Sequence, residues 1–232
     1  MATGFGGMDL AKPKIDVGLS THDLAPVLAF WQGEAGVAFD HVLKISRTQE
    51  QHRHDIAGSV LKINHYAEPL PANPPSGYRE LIIARAGLAS PRPLTDPGGA
   101  RLSLVPTGHE GVTQLAVRIG VRDLDAHRRF YAEALGLAEA RPGVFRAGES
   151  LIFLEPDAHA PADAQMRGPG WRYITFQVFK VDEEHARVLA RGGREALAPV
   201  TLGTTARISM VRDPDGNWIE LSQRASIVGS LN

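Results

Sequence analysis

One segment of this chain recurs at an offset of one hundred residues. Asp23-Leu24 leads to Phe30-Trp31 and Gly36, and Asp123-Leu124 leads to Phe130-Tyr131 and Gly136. Self-similarity at a fixed spacing means repeated supersecondary units, which restricts the chain to modular topologies. Each copy reads as one amphipathic helix. In the second, Leu124, His127, Phe130, Tyr131, Ala134 and Leu135 fall on or near one stripe, with Gly136 placed as a C-cap. Asp23 and Asp123 stand where N-caps or first-turn acids belong.

Strand patterns surround both helices. Ile15–Ser20 and Gln114–Ile119 precede them; Phe39–Ile45 and Ser59–Asn64 follow the first, and Val144–Arg146 and Leu151–Leu154 the second. A further unit runs from Trp171, with a strand at Tyr173–Val178, a helix at Val181–Arg191 and a strand at Arg207–Val211. The N-terminal half has a matching first strand at Tyr78–Ala84, but the loop Gly87–Pro93 follows where a helix belongs. The chain therefore reads as four βαβββ modules in an α+β fold, the second module lacking its helix. A small-residue boundary near 107–111 predicts two paired-module domains, 13–108 and 112–226, after a disordered 1–12.

A length of 232 residues fits one large or two small domains. Lys plus Arg is 25 against 26 Asp plus Glu, so no basic field draws nucleic acid or an anionic membrane. Cysteine is absent, which excludes disulfides, thiolate catalysis and Cys-ligated zinc. No apolar run approaches the ~20 residues that span a bilayer. Without a secretory signal pattern at Met1 to Met8, the expected location is cytoplasmic.

The last strand carries the sharpest chemical hint. In Arg212-Asp213-Pro214-Asp215-Gly216-Asn217-Trp218-Ile219-Glu220-Leu221, Pro214 and Gly216 set a tight turn over Asp213 to Asn217. Beyond it Trp218, Glu220 and Ser222 share one strand face, while Ile219 and Leu221 share the other. A carboxylate within an apolar strand is costly unless it pairs, ligates a metal or meets water. Thr95-Asp96-Pro97-Gly98-Gly99-Ala100-Arg101-Leu102-Ser103-Leu104 repeats the Asp-Pro-x-Gly core.

This decapeptide and the four modules resemble the vicinal oxygen chelate superfamily, which includes glyoxalase I, bleomycin-binding proteins and type I extradiol dioxygenases. The resemblance implies sheets paired into incomplete barrels around a cavity. It implies ligands from the first strand of each module and the last strand of each pair. By position these are Gln114 (or Ala116), Tyr173 and Glu220 in the C-terminal half, and Asp16, Glu80 and Ser103 in the N-terminal half. No histidine occupies any of them, against the common pattern. The expected metal ligands are Gln114 and Glu220, holding a divalent ion (Mg, Mn, Fe, Ni or Zn) or none at all. Tyr173 is the expected proton donor or substrate ligand, with the base drawn from Glu80, Asp16 or a first-module histidine such as His54.

Two further candidates come from the residues themselves. If Leu61 and Ile63 pack under the helix, Lys62 and Asn64 face the cavity. Trp218 and Asp16 complete the expected substrate-binding set, Trp218 as a stacking surface. His52 and His54 offer i, i+2 spacing on a strand, or else the tip of a solvated hairpin. The expectation is an enzyme acting on a small oxygenated molecule as a monomer or homodimer, with no nucleic-acid or membrane partner; the alternative is a metal-free ligand-sequestering protein.

Overall fold

The computed structural model describes residues 7–231. The first module comprises β1 (Leu10–Thr21), α1 (Leu24–Ala29), β2 (Ala38–Lys44), β3 (Gln49–Ile56) and β4 (Ser59–Tyr66). The second has only β5 (Tyr78–Arg85), β6 (Arg92–Thr95) and β7 (Arg101–Pro106). The third runs through β8 (Leu115–Val121), α2 (Leu124–Arg129), β9 (Ala138–Arg141), β10 (Val144–Ala147) and β11 (Ser150–Pro156). The fourth contains β12 (Gly170–Val178), α3 (Val181–Ala190), β13 (Arg194–Leu202), β14 (Ala206–Arg212) and β15 (Trp218–Arg224), with a terminal turn α4 (Ala225–Val228). The second module does lack its helix. Of the segment expected to be disordered, residues 1–6 lie outside the described ones, and Leu10 to Lys12 already belong to β1.

Both repeated helices end alike. α1 passes into a π-helical turn at Phe30–Glu34 and α2 into one at Phe130–Ala134. Gly36 and Gly136 then take positive φ, 61° and 68°, the left-handed region that a Cβ disfavours. Asp123 caps α2 by accepting from the Ala126 N–H, whereas Asp23 makes no such bond. The one-hundred-residue repeat is thus a repeat of backbone conformation.

The modules do not pair in sequence order. One sheet runs β13-β14-β15-β12-β1-β4-β3-β2, joining the fourth module to the first; the other runs β6-β7-β5-β8-β11-β10-β9, joining the second to the third. This corrects the expected pairing within 13–108 and within 112–226. The seams are antiparallel: β1 lies on β12 with Asp16 opposite Thr175 and Gly18 opposite Tyr173, and β5 lies on β8 with Glu80 opposite Arg118. Neither sheet closes into a barrel. On the helix-facing sides, Leu61, Ile63, Ile174, Phe176, Ile219 and Leu221 join Trp31 and Tyr131 in one apolar core.

The signature turns tie modules together. Asp213 accepts hydrogen bonds from the backbone and side-chain amides of Asn217, each at 2.8 Å, and Asn217 Oδ1 accepts from the Gly77 N–H at 2.6 Å. Asp96 of the related turn accepts from Ala100 N at 2.8 Å and from Trp31 Nε1 at 3.2 Å. These buried carboxylates satisfy turn amides that water cannot reach.

Candidate functional site

The alternation of β4 settles which side chains enter the concave face of the first sheet. Leu61 and Ile63 are fully buried in the apolar core, so Lys62 and Asn64 point to the opposite side. The same alternation sends Gln51 and Arg53 of β3, Tyr173 of β12, and Glu220, Ser222 and Arg224 of β15 into one cavity of about 530 Å³. Leu43, Ile45, Ile208 and Met210 supply its apolar wall.

A charged cluster forms the cavity floor. Lys62 Nζ donates to Glu220 Oε2 at 2.8 Å and to Thr175 Oγ1 at 2.7 Å, and Thr175 Oγ1 donates to the same carboxylate oxygen at 3.0 Å. No protein donor bonds Glu220 Oε1 among the described residues. Burial pushes the Lys62 ammonium below the usual lysine range, against the opposing pull of Glu220 and Asp16. Tyr173 OH accepts from Asn64 Nδ2 at 3.2 Å and from Gln51 Nε2 at 3.4 Å, leaving its own proton uncommitted within the protein. Burial, and then the Glu220 charge, push the phenol well above its usual range, so it stays protonated. Its ring lies over Gly18, where a Cβ would come within 2.2 Å of the ring.

Around the floor the charge is positive. Arg53 donates to Gln51 Oε1 at 2.6 Å, while its buried Nε has no partner. Burial, then repulsion from Arg53, pushes the Arg224 guanidinium below its usual range, though Glu220 opposes this. Arg53, Lys62 and Arg224 therefore face one cavity carboxylate, Glu220.

The expected site residues divide sharply. Lys62, Asn64, Tyr173 and Glu220 converge on this cavity. Asp16 lies buried beside it, accepting from Gln177 Nε2 at 2.9 Å, Val60 N at 2.7 Å and Lys12 Nζ at 2.5 Å. Trp218 does not line it: its indole N–H donates to Ala164 O at 2.7 Å and Arg212 stacks on its ring. His54 lies on the opposite face, with Nε2 3.1 Å from Gln32 Nε2. Glu80 belongs to the other sheet. There Arg118 fills the equivalent face, bonded to Glu80 at 2.9 Å, to Glu155 at 3.0 Å and to Glu110, with Phe153 beneath it.

Gln114 and Glu220 are not neighbours, which corrects the expected ligand pair. Gln114 precedes β8 and donates to Ile56 O at 3.0 Å and Ser59 Oγ at 2.9 Å, while accepting from Ser150 Oγ at 2.8 Å. Its amide pins the two sheets together. Register places Ala116, not Gln114, opposite Ile82 on the seam. In the cavity itself, β1 pairs Gly18 with Lys62 and β12 pairs Thr175 with Glu220, so Lys62 and Glu220 occupy equivalent last-strand positions. An ammonium already contacts the carboxylate there, and the nearby phenol is protonated. This donor set does not fit a divalent ion.

Sequence reasoning missed Gln51, Arg53, Thr175, Gln177 and Arg224. The signal was available for the first two: once His52 and His54 face the helix side, their neighbours must face the cavity.

The comparisons agree with this architecture. Residues 113–221 match the model of the Glyoxalase/Bleomycin resistance protein/Dioxygenase superfamily, and the chain carries a domain of that superfamily. Glyoxalase I from Zea mays superposes with a TM-score of 0.72 at 14% identity, over 93% of this chain and 95% of that one. A single-site mutant of the same maize enzyme gives 0.73 at 13% identity, over 94% and 97%. A candidate dioxygenase from Bacillus subtilis gives 0.66 at 11% identity, over 94% and 86%. At these identities the likeness shows the fold. No curated protein matches the chain in sequence. No helix among the described residues is long and apolar enough to cross a membrane.

Proposed function

We propose that the first-sheet cavity binds a small oxygenated organic anion and catalyses a proton transfer on it without a metal. The observation that carries this reading is the Lys62 ammonium 2.8 Å from Glu220, inside a cavity whose remaining charges are basic. Arg53 and Arg224 bind the carboxylate of the ligand, and the Leu43, Ile45, Ile208 and Met210 wall takes its apolar body. Glu220 Oε1 removes a proton from the carbon next to a carbonyl. Negative charge then develops on the carbonyl oxygen, where Lys62 and the Tyr173 O–H stabilise it. Return of the proton to a different carbon gives an isomerisation; loss of a leaving group gives an elimination. Fixed cationic and O–H groups thus do the charge stabilisation that a Lewis acid does elsewhere.

The test is hydrogen exchange at the α-carbon of aryl- and alkyl-substituted 2-oxo acids, followed by NMR in D₂O with chelator-dialysed protein. Wild type should accelerate exchange and Glu220→Gln should abolish it. Equal exchange by both proteins, or no binding of any such acid, would refute the proposal.

A second reading is ligand sequestration. It is favoured by the pairing of Lys62 with Glu220 and of Gln51 with Asn64, which leaves a stable apolar-walled hollow. Binding that survives Glu220→Gln, with no exchange catalysed by wild type, selects it.

A further inference from the structure

We propose that Glu50, His52 and His65 form a binding site for one divalent first-row transition ion, with Zn²⁺ as the representative ion, on the sheet face opposite the cavity. The two strands bring the three side chains together. Glu50 and His52 are two residues apart on β3 and so share a face, and Glu50 lies directly opposite His65 on β4. One ligand atom from each can be chosen so that all three lie within 4.8 Å of one another. His52 Nε2 stands 3.6 Å from Glu50 Oε2. The His52 and His65 rings have centroids 6.5 Å apart and planes 70° apart, an edge-on arrangement without stacking.

For metal–ligand bonds near 2.0–2.1 Å, tetrahedral donors sit roughly 3.3–3.5 Å from one another. One pair is already near that spacing, and small side-chain rotations close the others. The independent observation is His52 Nε2 itself: it is buried and has no hydrogen-bond partner. Buried ring nitrogens are normally bonded, so an orphan aimed at a carboxylate and a second imidazole calls for an acceptor of its lone pair. Two imidazoles and a carboxylate are a donor set for zinc, and they leave a fourth position open. The Glu50 side chain is 47% exposed, which gives an ion access from solvent. His54 follows on the same face but is engaged with Gln32, and so stands outside the set. The ion would staple β3 to β4, the strands that present Arg53 and Lys62 on the other side.

The experiment uses the full chain without an affinity tag, dialysed against chelator and then against Zn²⁺, with bound metal measured by elemental analysis. Co²⁺ loading followed by visible d–d absorption reports the geometry. Wild type should retain one ion per chain, show the intense bands of low-coordinate Co²⁺, and gain thermal stability that grows with free Zn²⁺. Glu50→Gln and His65→Ala, both at partly exposed positions, should lose the bound ion and the stabilisation. His54→Ala should keep both. Failure of wild type to retain zinc, or equal retention by His65→Ala, would overturn the assignment.

Discussion

Replacing Lys62 by methionine tests the centre of the site. The ammonium lies 2.8 Å from Glu220, and the two side chains are 4% and 10% exposed. At an effective dielectric near 20 the direct attraction over that distance is about 6 kcal/mol. Desolvation of both ions offsets much of it, so the intact pair is worth little against an apolar alternative. Removing one member is different, because Glu220 would remain buried with only the Thr175 hydroxyl bonded to it. A stranded charge of this kind costs about 3–5 kcal/mol. For a chain of this size, at ~2–4 °C per kcal/mol, Tm should fall by roughly 6–20 °C. Lys62→Met with Glu220→Gln leaves no charge to strand, and should recover about 1–3 kcal/mol through the coupling between the sites. Urea unfolding of the four proteins of the cycle, with calorimetry alongside, measures this. A single variant within 1 kcal/mol of wild type, or a double variant no more stable than Lys62→Met, would show that the two groups do not share a dry pocket.

Gly18→Ala should displace the Tyr173 ring, since the new Cβ meets it at 2.2 Å; a cost of about 1–3 kcal/mol and weakened binding of 2-oxo acids are expected in denaturation and titration calorimetry. Tyr173→Phe should leave stability within about 1.5 kcal/mol of wild type and slow α-proton exchange by about 10²–10⁴-fold. Burial pushes the His127 imidazole down, but Asp213 and Asp215, with Oδ2 atoms 3.5 and 3.6 Å away, and the Asp123 carbonyl together hold it above the ordinary histidine range. A raised folded-state value favours the native state fully below about pH 6.5 and loses that contribution as pH rises through the higher value. Stability should therefore decline as pH rises above about 6.5, and His127→Gln should flatten that decline in pH-dependent melting curves. Arg118→Leu should destabilise the second sheet by about 1–3 kcal/mol, because Glu80 loses its charged partner, yet leave ligand binding in the first-sheet cavity unchanged.

The legible parts of this fold were those written in short-range pattern. Apolar stripes gave the repeated helices, and Leu61 with Ile63 fixed the side on which Lys62 and Asn64 emerge. The Asp-Pro-x-Gly turn fixed the phase of Glu220. Module pairing was hidden, because the seam between β1 and β12 joins residues on opposite ends of the sequence and leaves no local trace. Polar edge strands were hidden too: β13 is exposed on both faces, and β3 carries polar side chains toward both the cavity and the helix side. Gln114 misled through length. Two extra residues before Asp123 moved it off the strand, and a buried amide that cross-links sheets resembles a ligand in sequence alone. Lys62 looked like one basic lining residue; only the register of β4 against β1 shows it standing in the position equivalent to Glu220.

The nesting of one module pair inside the other has a consequence during synthesis. The second and third modules are contiguous and can zip into their sheet while the remainder of the chain is still being made. Lys62 must wait 158 residues for Glu220, which at ~5–20 residues per second is roughly 8–32 s. Until β12 (Gly170–Val178) is made, the β1 edge, from Ile15 to Ser20, has no antiparallel neighbour and is open to pairing with any passing strand. The nascent first module is thus the point at which this protein depends most on being shielded until its last strands arrive.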